Sequence, residues 1–361
     1  MRTARSKSRR SSARLAPKKA AAKKAAPKKA ARKARARRPV VIDFHAHIVM
    51  PEILAATYEQ SLYAQCFARK GPDGRAEPIP DMMMGRMTDT GQRLAAMDAM
   101  GVDIQVVSPS ILHQCSYALP DEEALSLERT SNDRVAELVA KRPDRLIGVG
   151  SVPLQNVALA VAELERAVRQ LGLKGVVISS HVNGAELGDP RHDPFWEKAQ
   201  GLDAAIFMHP AGNTDPRMKR HGRLTSIGQQ VEEALAVSSL VYDGVMDRFP
   251  RLKIAIAHGG GFLPYYAGRL DFFHRSGYSR QLQGDFSSYL PRFFFDSIVF
   301  NRDMLEFLAH KVPAGQIMLG SDYPFGESDP VAFVRGARRL PGAAQDAIVG
   351  ANAARFLGMS L

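Results

Sequence analysis

From residue 40 onward, short apolar runs alternate with longer stretches in which apolar residues recur at helical spacing. Runs rich in β-branched residues are typical of parallel strands buried on both faces, and the helical spacing is typical of amphipathic helices. Eight runs occur: Val40–His47, Ile104–Ser108, Arg145–Val152, Gly175–His181, Ala205–Pro210, Lys253–Gly259, Arg292–Ile298 and Ile317–Tyr323. Eight alternating strand and helix units predict an α/β fold, the TIM (β/α)₈ barrel.

The stretches between the runs contain the predicted helices and one exception. Helical spacing covers Glu122–Lys141, Val157–Leu171 and Ile227–Phe249. The connection from Pro51 to Gly91 is too long for an ordinary turn between a strand and a helix, and it is rich in Met, Gly and Pro. We therefore expect an insertion or lid after the first strand, at residues 51–91.

The first 38 residues differ in composition from the rest of the chain. They hold 17 of the 49 Lys and Arg residues and no Asp or Glu, so the other 32 basic residues face 37 acidic ones. The net charge of +12 therefore describes this segment and not the body. Residues 1–38 are predicted to be a disordered basic tail before a barrel domain at 39–361. The alternative is a tail that binds nucleic acid weakly through counterion release.

Cysteine and apolar content bear on the location of the protein. The two cysteines, Cys66 and Cys115, fit no disulfide or metal-binding spacing, which favours a reducing cytoplasm. The chain contains no apolar run long enough for a secretory signal or a membrane span. We expect a cytoplasmic protein without membrane association.

Polar residues stand at the carboxyl ends of the predicted strands, which is where TIM barrels build their active sites. They are His45, His47, His181, His209, His258 and Asp322. A single histidine in an apolar strand is usually a core imidazole bonded to a backbone carbonyl. Five histidines at the same end favour a functional site.

Four of these residues form a candidate metal site. His45 and His47 are two apart on a strand, so both side chains face the same side. His209 adds a third nitrogen and Asp322 an anionic oxygen, a set suited to Zn²⁺ or a similar ion. Such an ion lowers the pKa of a bound water and polarises a substrate oxygen.

His258 is the candidate general acid/base, because the following Gly259-Gly260-Gly261 allows a ligand to approach the backbone closely. The alternative role for His258 is a fifth metal ligand. Asp43 and Asp296 either orient histidines or cap turns.

Several motifs, in order along residues 40–358, resemble one known family. They are IDFHAHIVMPE at 42–52, RLAAMDAMGV at 93–102, SHVNGAEL at 180–187, FMHP at 207–210, AHGGGFLPYYAGRL at 257–270 and LGSDYPFGE at 319–327. The family is amidohydrolase family 2 of the amidohydrolase superfamily, in its decarboxylase branch, typified by 2-amino-3-carboxymuconate-6-semialdehyde decarboxylase.

The resemblance implies a role for each matching residue. It makes His45, His47, His209 and Asp322 the metal ligands, and His258 the catalytic histidine, with Asp322 also among the catalytic residues. Arg93 and Arg269 match arginines that hold substrate carboxylates, the second from the partner chain of a homodimer. The alternative for each arginine is an ordinary ion pair. His181 is either a substrate contact or a partner of a ligand.

The resemblance, together with these site residues, implies non-oxidative decarboxylation of a small aromatic or muconate-type acid, with a divalent metal and no organic cofactor. The same site suits a hydrolase or hydratase acting on a lactone, an amide or an unsaturated dicarboxylate. A third alternative is a nucleic-acid-associated protein with a vestigial barrel.

Overall fold

A computed structural model gives the structure of the chain. It describes residues 38–58, 71–75, 77, 79–110, 114–213, 215–278 and 282–360. Cys66 and all but the last residue of the predicted tail lie outside the described residues. Within the described part, no helix is both long and apolar enough to cross a membrane.

Each of the eight predicted runs contains at least one strand. The strands are β1 Ile42–Ile48, β2 Ile104–Pro109, β3 Leu146–Gly148, β4 Gly150–Ser151, β5 Gly175–Ile178, β6 His181–Val182, β7 Ala185–Glu186, β8 Ala205–Met208, β9 Lys253–Ile256, β10 Phe294–Asp296 and β11 Ile317–Met318. The third run divides into β3 and β4. The fourth run ends early, because His181 turns away into the antiparallel pair of β6 and β7.

The remaining strands pair in parallel. One sheet has the order β1–β2–β3, and a second has the order β11–β10–β9–β8–β5–β4. Two further backbone hydrogen bonds of 2.8 Å join β1 to the segment after β11, from Phe44 N to Leu319 O and from His47 N to Tyr323 O. The chain is therefore an α/β protein with parallel sheets, in which the carboxyl ends of neighbouring strands share one edge.

The helices lie mainly between the strands. They are α1 Pro51–Thr57, α2 Asp81–Thr88, α3 Thr90–Met100, α4 Asp121–Lys141, α5 Val157–Arg169, α6 Asp193–Gly201, α7 Gln229–Tyr242, α8 Val245–Arg248, α9 Leu263–Arg275, α10 Arg302–Lys311, α11 Pro330–Arg335, α12 Gly342–Asp346 and α13 Asn352–Phe356. Helices α4 and α5 confirm the predictions at Glu122–Lys141 and Val157–Leu171 to within two residues.

The third predicted helix, Ile227–Phe249, is interrupted. A π-helical turn at Leu224–Gly228 leads into α7, and Gly244 separates α7 from α8. Gly244 has a φ of 73°, the left-handed conformation that commonly ends a helix at glycine. The apolar spacing continues through this break, so spacing alone does not reveal it.

Alternate strand residues pack into two separate apolar layers. One layer combines strand residues with α13 and contains Ile42, Phe44, Val177, Phe207, Ala255 and Phe356. The other lies against the surrounding helices and contains Val176, Ile178, Ile206, Met208 and Ile254. Because successive strand side chains face opposite sides, continuing β8 by one residue puts His209 on the face of Ala205 and Phe207.

Part of the long connection after β1 is helical. Val49, Leu54, Ile79 and Met87 form a small buried cluster that ties α1 and α2 to the end of β1. Helices α1 and α2 thus pack beside the carboxyl end of this strand. Its predicted role as a lid stays a prediction.

Candidate metal centre and active site

An extra residue in β1 turns His45 and His47 toward the apolar layer that contains Phe207. β1 carries one residue more than β2 between two paired positions, Asp43–Gln105 and Ala46–Val107. A bulge of this kind shifts the alternation of side chains and re-aims those that follow. His45 accordingly lies against Phe207, with ring centroids 4.9 Å apart. Both histidines are buried.

The imidazoles and a carboxylate meet at one point. Nε2 of His47 lies 3.0 Å from Nε2 of His45 and 3.0 Å from Oδ1 of Asp322, and Nε2 of His45 lies 3.4 Å from the same oxygen. His209 completes the group, because one potential ligand atom from each of the four residues lies within 4.8 Å of the others. The structure brings all four predicted ligands together, as a divalent-metal site requires.

His209 indicates whether this group fits a metal. Its Nδ1 lies 3.2 Å from the carbonyl oxygen of Pro210, whereas its Nε2 is buried without a hydrogen-bond partner among the described residues. Burial, together with the charges of His47 and His45, keeps the pKa of His209 well below its ordinary value, so the ring is neutral. An unsatisfied buried nitrogen costs about 1–3 kcal/mol. A divalent cation fits, because neutral imidazole is the form that binds it.

Asp322 reaches the group from a left-handed backbone conformation, with a φ of 55°. Its N–H donates to the carbonyl of His45 at 2.8 Å, and its own carbonyl accepts from Gly326 at 3.0 Å. Burial opposes ionisation, but the charge of His45 and the hydrogen bond from His47 hold the pKa of Asp322 below its ordinary value. The carboxylate is thus an anionic donor, and such strained conformations cluster at functional sites.

Asp296, at the end of β10, contacts His258 and one of the four candidate metal ligands, His45. Its Oδ2 accepts from Nδ1 of His45 at 2.7 Å and from the backbone N–H of His258 at 2.9 Å. Its Oδ1 accepts from the N–H groups of Gly259 and Ile298, each at 3.0 Å. Asp296 therefore orients a histidine, one of the two roles expected for it.

Arg93 lies in a second buried network behind His47. Oδ2 of Asp43 accepts from Gln105 at 2.8 Å, Oε1 of Gln105 accepts from Arg93 at 2.7 Å, and Arg93 also donates to the carbonyl of His47 at 2.6 Å. The guanidinium lies 4.9 Å from the ring centroid of Tyr323. Burial lowers the pKa of Arg93 to about 10. Arg93 is therefore no surface ion pair, and its contact with a substrate stays a prediction.

His258 lies next to the four candidate metal ligands. It pairs with a glutamate that the sequence analysis missed. Its ring centroid lies 5.1 Å from that of His209 and 5.4 Å from that of His45. Its Nδ1 lies 2.5 Å from Oε1 of Glu233, a buried residue of α7. Burial lowers the pKa of His258, but the charge and hydrogen bond of Glu233 outweigh burial and raise that pKa to about 9. The pair therefore holds a proton at neutral pH.

The pattern of α7 contains a signal for Glu233. Glu233 precedes Val237 by four residues and Leu240 by seven, so it belongs to the buried stripe of this helix. Glutamate is almost never fully buried unless it is paired. An acidic residue within an apolar stripe therefore marks a partner in the core.

His181 lies at the rim of this arrangement. Its Nδ1 accepts from the N–H of Gly184 at 3.2 Å, and its Nε2 lies 3.9 Å from Oε2 of Glu232. Glu232 also accepts from Ser180 at 3.0 Å and from Asn213 at 2.7 Å. The side chain of His181 is 34% exposed, which leaves it open to solvent.

Arg269 is an exposed residue of α9. Its guanidinium lies 4.9 Å from the ring centroid of Phe273, and it borders a surface groove with Phe262, Leu263 and Tyr266. Within the described part of the chain, no hydrogen bond or ion pair joins Arg269 to the four clustered residues. Its predicted contact with a substrate, made from the partner chain of a homodimer, stays a prediction.

Comparison with known proteins places this site in a family. The amidohydrolase family model matches residues 42–359. The chain is 32% identical over 339 residues to 2-amino-3-carboxymuconate-6-semialdehyde decarboxylase of Dictyostelium discoideum, covering 89% of this chain and 92% of that protein. It is 26% identical over 294 residues to 2-keto-4-carboxy-3-hexenedioate hydratase of Sphingobium sp., covering 78% of this chain and 83% of that protein.

A solved structure gives the same assignment. The structure of 5-carboxyvanillate decarboxylase from Sphingomonas paucimobilis superposes with a TM-score of 0.79 at 28% sequence identity, covering 89% of this chain and 99% of that one. The family model spans almost the whole described body and includes all four clustered residues. The chain therefore belongs to the amidohydrolase family.

Proposed function

We propose that the chain is a metal-dependent, non-oxidative carboxy-lyase of a small aromatic or muconate-type carboxylic acid. The observation that carries this proposal is the buried group of His45, His47, His209 and Asp322 next to His258, whose Nδ1 contacts Glu233. The two decarboxylase relatives are named for a carboxymuconate and a carboxyvanillate, which supports both substrate types.

The four clustered residues would hold one divalent cation, for which we propose Zn²⁺. Three imidazoles and a carboxylate suit zinc among the borderline ions, although manganese accepts similar donors. When bound, the ion would polarise a substrate oxygen and stabilise developing negative charge. Elemental analysis of the purified protein distinguishes the two metals.

His258 handles the proton of the reaction in this proposal. The bond between the carboxylate and its carbon breaks, carbon dioxide leaves, and the electron pair remains on the carbon. Nε2 of His258 then gives a proton to that carbon, and water restores the proton to the imidazole. Asp322 belongs to the same catalytic group, because its carboxylate lies against the metal-binding histidines.

Substrate binding is proposed to involve His181, Arg93 and the Arg269 of a second chain. His181 has an exposed ring at the rim, and bidentate guanidinium groups match carboxylates well. We also propose a homodimer formed through the exposed part of α9, where Tyr266 and Phe272 are exposed and Phe262 is exposed just before the helix. Large exposed apolar residues on one helix are typical of an interface.

We further propose that the strands close into a (β/α)₈ barrel within a domain at 39–361. The hydrogen bonds from β1 to Leu319 and Tyr323 support closure, because they join the first strand to the last. Residues 51–91 would cover the mouth, and residues 1–38 would remain a disordered basic tail in a cytoplasmic protein. A gel shift of the full chain against residues 39–361, across salt, tests weak nucleic-acid binding by the tail.

A hydratase or hydrolase is the second candidate function, favoured by the similarity to a hexenedioate hydratase. Both reactions use the same metal group, so the product decides between them. We expect a panel of aromatic and muconate-type carboxylates to yield carbon dioxide in stoichiometric amounts. Consumption of substrate without carbon dioxide release would support the hydratase or hydrolase instead.

A further inference from the structure

Glu233 occupies a position that packing alone does not explain. It is 0% exposed, on the apolar stripe of α7, and its Oε2 has no hydrogen-bond partner among the described residues. Burying a carboxylate is unfavourable unless it is paired and hydrogen-bonded. Its other oxygen, Oε1, makes a single short contact of 2.5 Å with Nδ1 of His258.

The Gly259-Gly260-Gly261 sequence makes room for this contact. Gly261 has a φ of 62°, and a Cβ at this position would lie 2.5 Å from the carbonyl oxygen of Gln230 and 2.9 Å from Oε2 of Glu233. Any larger residue at 261 would therefore push α7 away. Gly261 thus allows the approach of Glu233 to His258.

We propose that Glu233 is a positioning residue that fixes the tautomer and ring orientation of His258. The proposal rests on the proton-transfer role given to His258 under the proposed function. A carboxylate that accepts the Nδ1 proton leaves Nε2 as the nitrogen that exchanges protons with a substrate. Asp296 holds the backbone of the same residue at 2.9 Å, so His258 is fixed from two sides.

The two buried acids thus serve different histidines. Asp296 accepts a hydrogen bond from Nδ1 of His45, which is a potential metal ligand. Glu233 accepts a hydrogen bond from Nδ1 of His258, which lies outside the group of four ligands. Loss of Asp296 should therefore affect metal binding. Loss of Glu233 should affect proton transfer while the metal stays bound.

The kinetic test compares Glu233→Gln and Glu233→Ala with Glu128→Gln. Glu128 is also a buried glutamate, but it bonds Ser116 and Ser151, neither of which has a part in the proposed mechanism. Both Glu233 variants should lower kcat by about 10²-fold with little change in KM, within the range of a lost general acid/base. The metal content should remain at the wild-type level. Glu128→Gln should keep the wild-type kcat.

A second measurement does not depend on activity. In protein labelled with ¹⁵N-histidine, the Nδ1 proton of His258 should give a strongly deshielded signal, assigned by its absence in His258→Ala. The signal should disappear in Glu233→Ala and persist in Glu128→Gln. If it persists in Glu233→Ala, or if both Glu233 variants release carbon dioxide at the wild-type kcat, the positioning role is wrong.

These outcomes separate the inference from the proposed function. Absence of carbon dioxide release by the wild-type protein on the whole substrate panel would defeat the proposed function, whereas the NMR signal would still test the contact. Carbon dioxide release by the wild type together with unimpaired Glu233 variants would defeat only the inference.

Discussion

Nδ1 of His45 donates a hydrogen bond to Oδ2 of Asp296 at 2.7 Å, and both side chains are fully buried. The bond fixes the tautomer of His45, because the proton on Nδ1 leaves the lone pair on Nε2. That nitrogen lies 3.0 Å from Nε2 of His47, where a cation can bind both rings.

Asp296→Asn should weaken binding of a divalent metal about 10- to 100-fold, the usual cost of losing the partner of a metal-binding histidine. Titration of metal-free protein with Zn²⁺ in competition with a chelator measures the affinity. Asp303→Asn, an exposed aspartate on α10, is the matched control and should bind like the wild type. Equal affinity in Asp296→Asn would show that this bond does not orient a metal ligand.

His258→Ala should lower carbon dioxide release by about 10²- to 10⁴-fold, the range for loss of a general acid/base. Its metal content should stay at the wild-type level, because His258 lies outside the group of four potential ligands. Elemental analysis in parallel with the rate assay checks both points. A variant that loses its metal would instead support the fifth-ligand role, and one with full activity would exclude His258 from catalysis.

Co-expression of Arg269→Ala with His258→Ala should restore activity that neither variant has alone. In the mixed dimer, one site combines the His258 of its own chain with Arg269 of the partner subunit. Light scattering should show a dimer, and Tyr266→Asp on the exposed face of α9 should give a monomer. Absence of complementation in a confirmed mixed dimer would mean that Arg269 does not act across the interface.

Glu128→Gln should flatten the dependence of stability on pH. Burial raises the pKa of Glu128 from 4.5 to about 7, so the folded state favours the protonated form. Its stabilising contribution is complete below pH 4.5 and is lost as the pH rises through about 7, a difference of about 3 kcal/mol.

Urea unfolding of metal-free protein between pH 5 and 8 measures this effect, because removing the metal excludes its own release from the comparison. The free energy of unfolding of the wild type should fall more steeply with pH than that of the variant. Parallel pH profiles would mean that Glu128 is not protonated preferentially in the folded state.

Much of the fold follows from local pattern. The eight apolar runs locate the strands because buried parallel strands need continuous apolar residues. Two features escape this reasoning. Gly244 ends α7 within an unbroken helical spacing, and the extra residue in β1 depends on pairing with β2, which a single sequence does not display.

The candidate site likewise contains residues that the sequence predicts and residues that only the tertiary structure reveals. His45, His47, His209 and Asp322 could be predicted because each stands at the carboxyl end of an apolar run. Glu233 was missed because it reaches His258 from a helix, and only the packing of α7 over Gly261 brings them together. The burial of Arg93 likewise depends on Gln105, a contact made by tertiary structure.

Counting divalent ions per chain, in the wild type and in His209→Ala, most directly tests whether the four clustered residues hold a catalytic metal. The account predicts one ion per wild-type chain, its loss in His209→Ala, and a parallel loss of carbon dioxide release. Wild-type protein that releases carbon dioxide after complete removal of the metal, or a His209→Ala variant with full metal content and rate, would contradict it.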